Sequence, residues 1–229
     1  MTRFKDLSIQ FLKGILAGLS IGLGGFLYII LSHFVPGEAG KALGSLFFGV
    51  GLFLVCTFGF SLYTGKIGLI YEEKKDLTFY LSLPIMLIGN AVGAIALGYL
   101  CFVIFKDTEV MNTVSVAVNS RITLNSFDAY LSLMIKSFLC GLCVYLAVKL
   151  FSLNRLKPIG IIGLLTFVFI FVYCGFQHCI ANMFYFGFGN AYNVGETYIN
   201  LALCILFNSF GPILGVLFFR IIERKYKKE

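Results

Sequence analysis

Long apolar runs separated by short polar joints make up almost the whole chain. Six runs, at about 11–33, 43–71, 79–105, 130–151, 159–187 and 197–222, reach the length of roughly 20 apolar residues that a helix needs to cross a bilayer core. The joints are brief except for 106–129, KDTEVMNTVSVAVNSRITLNSFDA, a polar stretch with room for a short helix or a folded loop. Two runs are interrupted. The second, LFLVCTFGFSLYTGKIGLIYEEKK, gathers Gly59, Ser61, Thr64, Gly65 and Lys66 ahead of a short apolar tail, and the fifth, FVYCGFQHCIANMFYFGFG, gathers Gln177, His178 and Asn182. Paired polar or Gly-rich interruptions at corresponding places in two three-helix halves are the sequence mark of an inverted repeat whose broken helices meet near the midplane. Backbone groups freed by such breaks are tolerated only against protein or a wet cavity. The pattern predicts an all-α polytopic membrane protein with six transmembrane helices, segments 2 and 5 interrupted, forming one transmembrane domain over 1–229.

Composition agrees with this pattern. Of 229 residues 59% are hydrophobic and 13% charged, with a mean hydropathy of +0.93, whereas a soluble domain carries about 25% charged residues. Six crossings use up the length and leave no room for a separate soluble domain. The N-terminus, MTRFKDLSIQ, lacks an early apolar h-region and a small-residue cleavage site, so a first spanning helix and no cleaved signal are expected. Arg3, Lys5, Lys13, Lys74, Lys75, Arg155, Lys157, Arg220, Arg224, Lys225, Lys227 and Lys228 collect on one side of the predicted spans, against Lys41, Lys106 and Arg121 on the other. Positive flanks mark the cytoplasmic face, so both termini are expected there and the protein in the cytoplasmic (inner) membrane. The net charge of +7 is mostly this topology signal and gives little support to nucleic-acid binding. The seven cysteines sit mainly in apolar runs and imply no disulfide framework. Cys140 and Cys143 form a C-x-x-C, but no second Cys or His pair stands nearby, so packing is preferred over a metal or redox role. No cofactor and no metal are expected.

A polar cluster at the depth of the fifth run is more cheaply explained by a solute pathway than by lipid contact. Intramembrane ionisable groups are functional by default, which singles out His178 against the plainer reading of a core histidine bonded between helices. Thr64 alone carries less weight, because a helical Thr commonly bonds its own backbone. A membrane enzyme would need an acid/base or metal constellation that one His, one Thr and a few amides do not supply.

The chain resembles the formate/nitrite transporter family of anion channels over nearly its whole length. GFSLYTGK, Gly59 to Lys66, is similar to the family's G-A-[DE]-L-F-T-[GS]-[NT], and GFQHCIANMF, Gly175 to Phe184, to G-F-E-H-S-I-A-N-M-F. FLKGILAGLSIGLG in segment 1, GNAVGA in segment 3, KSFLCGLCVYLAV in segment 4 and FGPILGV in segment 6 add supporting matches. The resemblance implies an aquaporin-like inverted repeat, assembled as a homopentamer with one pore per protomer. Small residues such as Gly18, Gly22, Gly89, Gly93 and Gly215 would let its helices pack closely. Carried across residue by residue, the pore centre falls on His178, Thr64 and Asn182, and the hydrophobic constrictions fall on Phe48, Leu52, Leu62, Val144 and Phe171. Departures also follow. Ser61 and Gln177 stand where the family has carboxylates, Lys66 where it has a small polar residue, Lys149 where it has Trp, and Gly141 where it has Asn. Lys66 and Lys149 are read either as selectivity charges or as side chains that snorkel to the interface.

For an anion to cross, donors must replace its lost hydration without holding it. Helix N-termini at the breaks, Thr64 and His178 are the expected donors, with dry necks on either side. An imidazole titrates near neutral pH, so either His178 donates a hydrogen bond to a passing anion, or the anion takes a proton and crosses as a weak acid. The neutralised motif positions resemble the family's hydrosulfide-channel branch most closely. The expectation is a passive channel for small monovalent anions, hydrosulfide first. A formate/nitrite channel or a proton-coupled weak-acid transporter of the same family is the alternative.

Overall fold

The computed structural model describes residues 2–71, 76–153 and 157–226. Lys74, Lys75, Arg155, Lys227 and Lys228 of the expected basic flank lie outside the described residues. The elements are all helical: α1 Thr2–Phe34, α2 Gly37–Phe58, α3 Tyr63–Lys66 continued by a 3-10 turn Ile67–Tyr71, α4 Leu77–Phe105, α5 Val110–Ile122, α6 Phe127–Leu153, α7 Pro158–Tyr173, α8 Cys179–Phe188 and α9 Gly195–Tyr226. Five of these, α1, α2, α4, α6 and α9, are long and apolar enough to cross a membrane, and α7 and α8 are shorter apolar helices.

Local chemistry accounts for several boundaries. Asp76 caps α4 by accepting from the Phe79 N–H at 3.0 Å. Pro158 opens α7, where its missing N–H costs nothing. The polar joint 106–129 forms α5 because Val110, Val114 and Val118, spaced by four, make one buried stripe.

Packing repeats between the two halves of the chain. In the first, α1 lies against α2 and α4; in the second, α6 lies against α7 and α9, while α2 meets α7 across the middle. The α1–α4 crossing is built on glycine. A Cβ at Gly18 would strike the Asn90 carbonyl, and one at Gly93 the Ile15 carbonyl. The α6–α9 crossing is as tight, with Gly141 against Asn208 and Gly211 against the Phe138 carbonyl. Small residues let helix backbones touch where no hydrophobic force draws them together in lipid. These two crossings place Asn90 and Asn208 at the heart of the protein. Large apolar side chains such as Leu12, Ile88, Leu100, Ile104 and Phe218 remain exposed on the outside, as a bilayer environment requires.

Candidate functional site

Both interruptions are made the same way. Helix α2 closes on Gly59, at φ 66°, with the Phe60 N–H reaching back to the Val55 carbonyl at 2.9 Å. Helix α7 runs out at Gly175, at φ 69°, with the Phe176 N–H bonded to the Phe171 carbonyl at 2.8 Å. Glycine takes this left-handed backbone without penalty, and the five-residue back-bond satisfies an orphan carbonyl at each helix end. Three non-helical residues follow in each case, Phe60–Leu62 and Phe176–His178, the last of each with extended backbone, before α3 and α8 begin.

Each new helix start is held by a buried asparagine from the neighbouring long helix. Asn90 Oδ1 accepts from the Tyr63 N–H at 2.9 Å, while its Nδ2 donates to the carbonyls of Ser61 at 2.8 Å and Gly14 at 2.9 Å. Asn208 Oδ1 accepts from the Cys179 N–H at 2.8 Å, while its Nδ2 donates to the carbonyls of Gln177 at 2.8 Å and Ser137 at 2.6 Å. The Ser61 N–H reaches the Lys13 carbonyl at 3.2 Å, and the Gln177 N–H the Lys136 carbonyl at 3.4 Å. Backbone groups with no access to water are thereby satisfied inside the protein. The expectation that the new N-termini offer free N–H groups needs amending, since the first N–H of each helix is already occupied.

The breaks bring Thr64 and His178 together. Thr64 Oγ1 lies 2.9 Å from His178 Nε2, and both residues are buried. His178 Nδ1 accepts from the Ala181 N–H at 3.2 Å, which assigns the proton of a neutral ring to Nε2. Nε2–H then donates to Thr64 Oγ1, and the threonine hydroxyl hydrogen is left to point elsewhere.

The five residues expected at the constrictions are buried in the core, and one of them packs beside this pair. Phe48, Leu52, Leu62, Val144 and Phe171 are each at most 3% exposed. Phe48 and Phe171 meet edge to face at 5.8 Å between centroids, and Phe171 lies 6.0 Å from the His178 ring. A cavity opens at each end. The one at the α5 end, about 490 Å³, is lined by Phe48, Phe171, Gln177, His178, Lys41 and Arg121 among others. The one at the α3 end, about 280 Å³, is lined by Leu62, Val55, Phe60, Lys66 and Val148 among others. Leu52 and Val144 line neither and are fully buried.

Other expected site residues are placed differently from one another. Asn182 lines the α5-end cavity, and its hydrogen bonds run away from the Thr64–His178 pair: Nδ2 donates to Gln177 Oε1 and Asn200 Oδ1, both at 2.9 Å, and Oδ1 accepts from Arg121 Nε at 2.9 Å. Ser61 Oγ donates to Gln10 Oε1 at 2.6 Å and lines neither cavity. Gln177 borders the α5-end cavity and Lys66 the α3-end cavity, whereas Lys149 lines neither.

Arg121, which the sequence reading used only for topology, borders the α5-end cavity. It reaches from α5 over the Tyr185 ring, 4.3 Å from guanidinium carbon to centroid, and also bonds the Ala117 carbonyl. Burial pulls its pKa below the ordinary value, yet a guanidinium stays charged. Asn90 and Asn208 were missed too, although each is an amide set inside an apolar run, which is the signal that could have found them.

Two helix breaks, pinned from behind and meeting at a polar pair closed by apolar side chains between two cavities, define a membrane transport protein. A family model described as formate/nitrite transporter matches residues 3–223, and the chain belongs to that family, whose members move solutes and are not enzymes. Among solved structures, a "pentameric formate channel with formate bound" matches with a TM-score of 0.77 at 22% identity, covering 98% of each chain. An "FNT family ion channel" matches with a TM-score of 0.75 at 22% identity, covering 90% of this chain and 86% of that one. At this identity the two likenesses establish a shared fold. No curated protein matches the chain.

Proposed function

We propose that this protein is a passive channel for small monovalent anions across the cytoplasmic membrane, with hydrosulfide as its main substrate and formate or nitrite as the alternative. The observation that carries the reading is the Thr64–His178 pair, 2.9 Å apart, buried between two cavities and bounded by apolar side chains. In this reading α2 with α3, and α7 with α8, are two broken crossings that complete six spans in an aquaporin-like inverted repeat over 1–229. Both termini are cytoplasmic, on the side of Lys5, Lys13, Lys157 and Arg220. The assembly is a homopentamer, as in the solved formate channel that shares the fold.

The chemistry runs in three stages. An anion collects in the α5-end cavity, where Gln177 in place of a carboxylate leaves one repelling charge fewer and the lining Glu38 is paired with Lys41. At the dry neck it sheds water, and donors must replace that hydration briefly. His178 Nε2–H and the Thr64 hydroxyl share one hydrogen-bonding position and exchange partners: the anion takes the Nε2–H or the hydroxyl hydrogen as the Thr64–His178 bond opens. Phe48 and Phe171 on one side and Leu62 and Val144 on the other exclude hydrated cations, whose shell is too wide and too costly to strip.

Flux into protein-containing liposomes tests this, comparing hydrosulfide with formate and nitrite at matched gradients and two pH values. Hydrosulfide flux well above formate supports the proposed substrate; formate flux equal or greater replaces it with the formate/nitrite reading. Accumulation against a substrate gradient driven by pH overturns the passive mechanism in favour of proton-coupled transport. The neck assignment has its own test. Leu62→Ala is expected to raise conduction several-fold and to admit larger anions such as acetate, because the side chain removed closes the path toward the α3-end cavity; unchanged passage of acetate would remove Leu62 from the constriction.

A further inference from the structure

Tyr63 carries a hydroxyl that no step of the proposed passage uses. The residue opens α3 directly before Thr64, and its N–H is held by Asn90 Oδ1 at 2.9 Å. The motif that this stretch resembles, G-A-[DE]-L-F-T, has Phe at the same place, so the hydroxyl is an addition. Tyr63 lines neither the α5-end cavity nor the α3-end cavity.

The hydroxyl reaches across to the other half of the chain. Tyr63 Oη lies 2.9 Å from Ser209 Oγ on α9. Ser209 Oγ donates its one hydrogen to the Ile205 carbonyl at 2.7 Å, so Tyr63 donates and Ser209 accepts in the bond between them. Ser209 follows Asn208, whose Oδ1 holds the Cys179 N–H, and Cys179 follows His178. With the Thr64–His178 bond these contacts close into a ring that runs through Thr64, Tyr63, Ser209, Asn208, Cys179 and His178. Both breaks are thereby tied to one point on α9.

That point is a weak one in the helix. Pro212 lies inside α9 and has no N–H, so the Asn208 carbonyl, one turn earlier, loses its helical partner. The 3-10 turn Ile67–Tyr71 leans on the same stretch, where a Cβ at Gly68 would come within 3.0 Å of the Pro212 side chain. The other half of the chain lacks an equivalent bond, since Asn90 is followed by Ala91, which has no polar side-chain atom to receive one from α8. A site that works by hydrogen-bond exchange needs neighbours that lock its side chains to within about 0.5 Å.

We propose that Tyr63 is a positioning residue: its hydroxyl, acting through Ser209, holds the starts of α3 and α8 in register and keeps the Thr64–His178 bond closed until a small anion opens it. Its effect on flux rests on the channel reading above; its hold on the pair does not. Without the hydroxyl the pair parts more readily, larger anions enter, and discrimination by size falls.

Two measurements on the full-length oligomer test it. The chain has two histidines, so protein isotope-labelled at the histidine ring nitrogens gives magnetic-resonance signals from His33 and His178 alone, and His178→Ala assigns them. Tyr63→Phe removes one oxygen and restores the motif residue, so the oligomer is expected to assemble. Tyr63→Phe and Ser209→Ala are each expected to speed solvent exchange of the His178 Nε2 proton by about two- to ten-fold, the range that one hydrogen bond sets. The double variant is expected to show no further gain, and Ser209→Thr, which keeps the acceptor, to exchange as wild type does. In liposomes the acetate leak relative to formate flux is expected to rise by the same factor in both single variants. Unchanged His178 exchange in both, or effects that add in the double variant, would overturn the clasp. Faster exchange with an unchanged flux ratio would overturn the selectivity assigned to it. Faster exchange in a protein that passes neither formate nor hydrosulfide supports the positioning role and overturns the channel reading.

Discussion

Replacing Asn208 with alanine is expected to destabilise the fold by about 2–4 kcal/mol and to abolish anion flux. One side chain holds three backbone groups at the second break, the Cys179 N–H and the carbonyls of Gln177 and Ser137. An orphaned buried group costs about 1–3 kcal/mol, while polar contacts measured in membranes average nearer 0.6 kcal/mol because the unfolded chain also finds partners. Three groups lost together, at a site 0% exposed, give the range stated. The functional loss is expected to exceed the stability loss, since Cys179 follows His178 directly and any shift of α8 carries the imidazole away from Thr64. The counterpart Asn90→Ala removes the equivalent bonds at the first break and is expected to behave alike. Thermal unfolding of the detergent-solubilised oligomer, read together with liposome flux, provides the check. A melting curve and flux equal to wild type would show that the asparagines do not hold the breaks.

Replacing His178 with alanine is expected to reduce flux about ten- to a hundred-fold while the oligomer still assembles. The magnitude follows from losing one hydrogen bond to a charged species, worth about 1.5–3 kcal/mol, where each 1.4 kcal/mol is a factor of ten. Alanine also leaves Thr64 without its partner and frees the Ala181 N–H, so some loss of stability accompanies the change. The control is Thr64→Val, which keeps the shape and removes the hydroxyl; it is expected to lower flux by less, because His178 Nε2–H is still able to meet the anion. Flux measured across pH separates the two roles for the ring. A pH profile that flattens only when His178 is removed assigns the proton step to this residue. Wild-type flux at every pH in His178→Ala would remove it from the conduction path.

Most of the helices could be read along the chain because lipid imposes one rule on every spanning segment. Run lengths, the short joints and the interruptions near Gly59 and Gly175 all registered in hydropathy and glycine placement, and the observed α2–α3 and α7–α8 boundaries fall inside the interrupted runs. Helix α5 was harder to see. Its stripe of Val110, Val114 and Val118 sits among polar residues that dilute the signal, and a short helix of this kind is stabilised chiefly by packing.

The site was legible unevenly. Thr64 and His178 lie 114 positions apart, and motif likeness alone placed them at one centre, where they are now seen 2.9 Å apart. Asn182 shared a motif with His178 and was assigned to the same centre, yet it sits one helical turn on, where its amide faces Gln177, Asn200 and Arg121. Ser61 and Gln177 looked alike as neutralised positions and proved unlike in setting: one is bonded to Gln10 on α1, the other borders a cavity.

The sequence by itself determined that this is a polytopic helical membrane protein and where its helices are interrupted, because hydrophobic length and backbone freedom are properties of local segments. Tertiary structure alone decided that Asn90 and Asn208 pin those breaks and that Arg121 comes from outside the spans to face the α5-end cavity. Those roles depend on distances between segments far apart in the chain, as in the 2.9 Å bond from Asn90 Nδ2 to the Gly14 carbonyl, 76 residues away. Hydrogen-bond geometry between distant helices is set by how they cross, and the crossing is fixed by glycine-to-backbone contact that no single segment encodes.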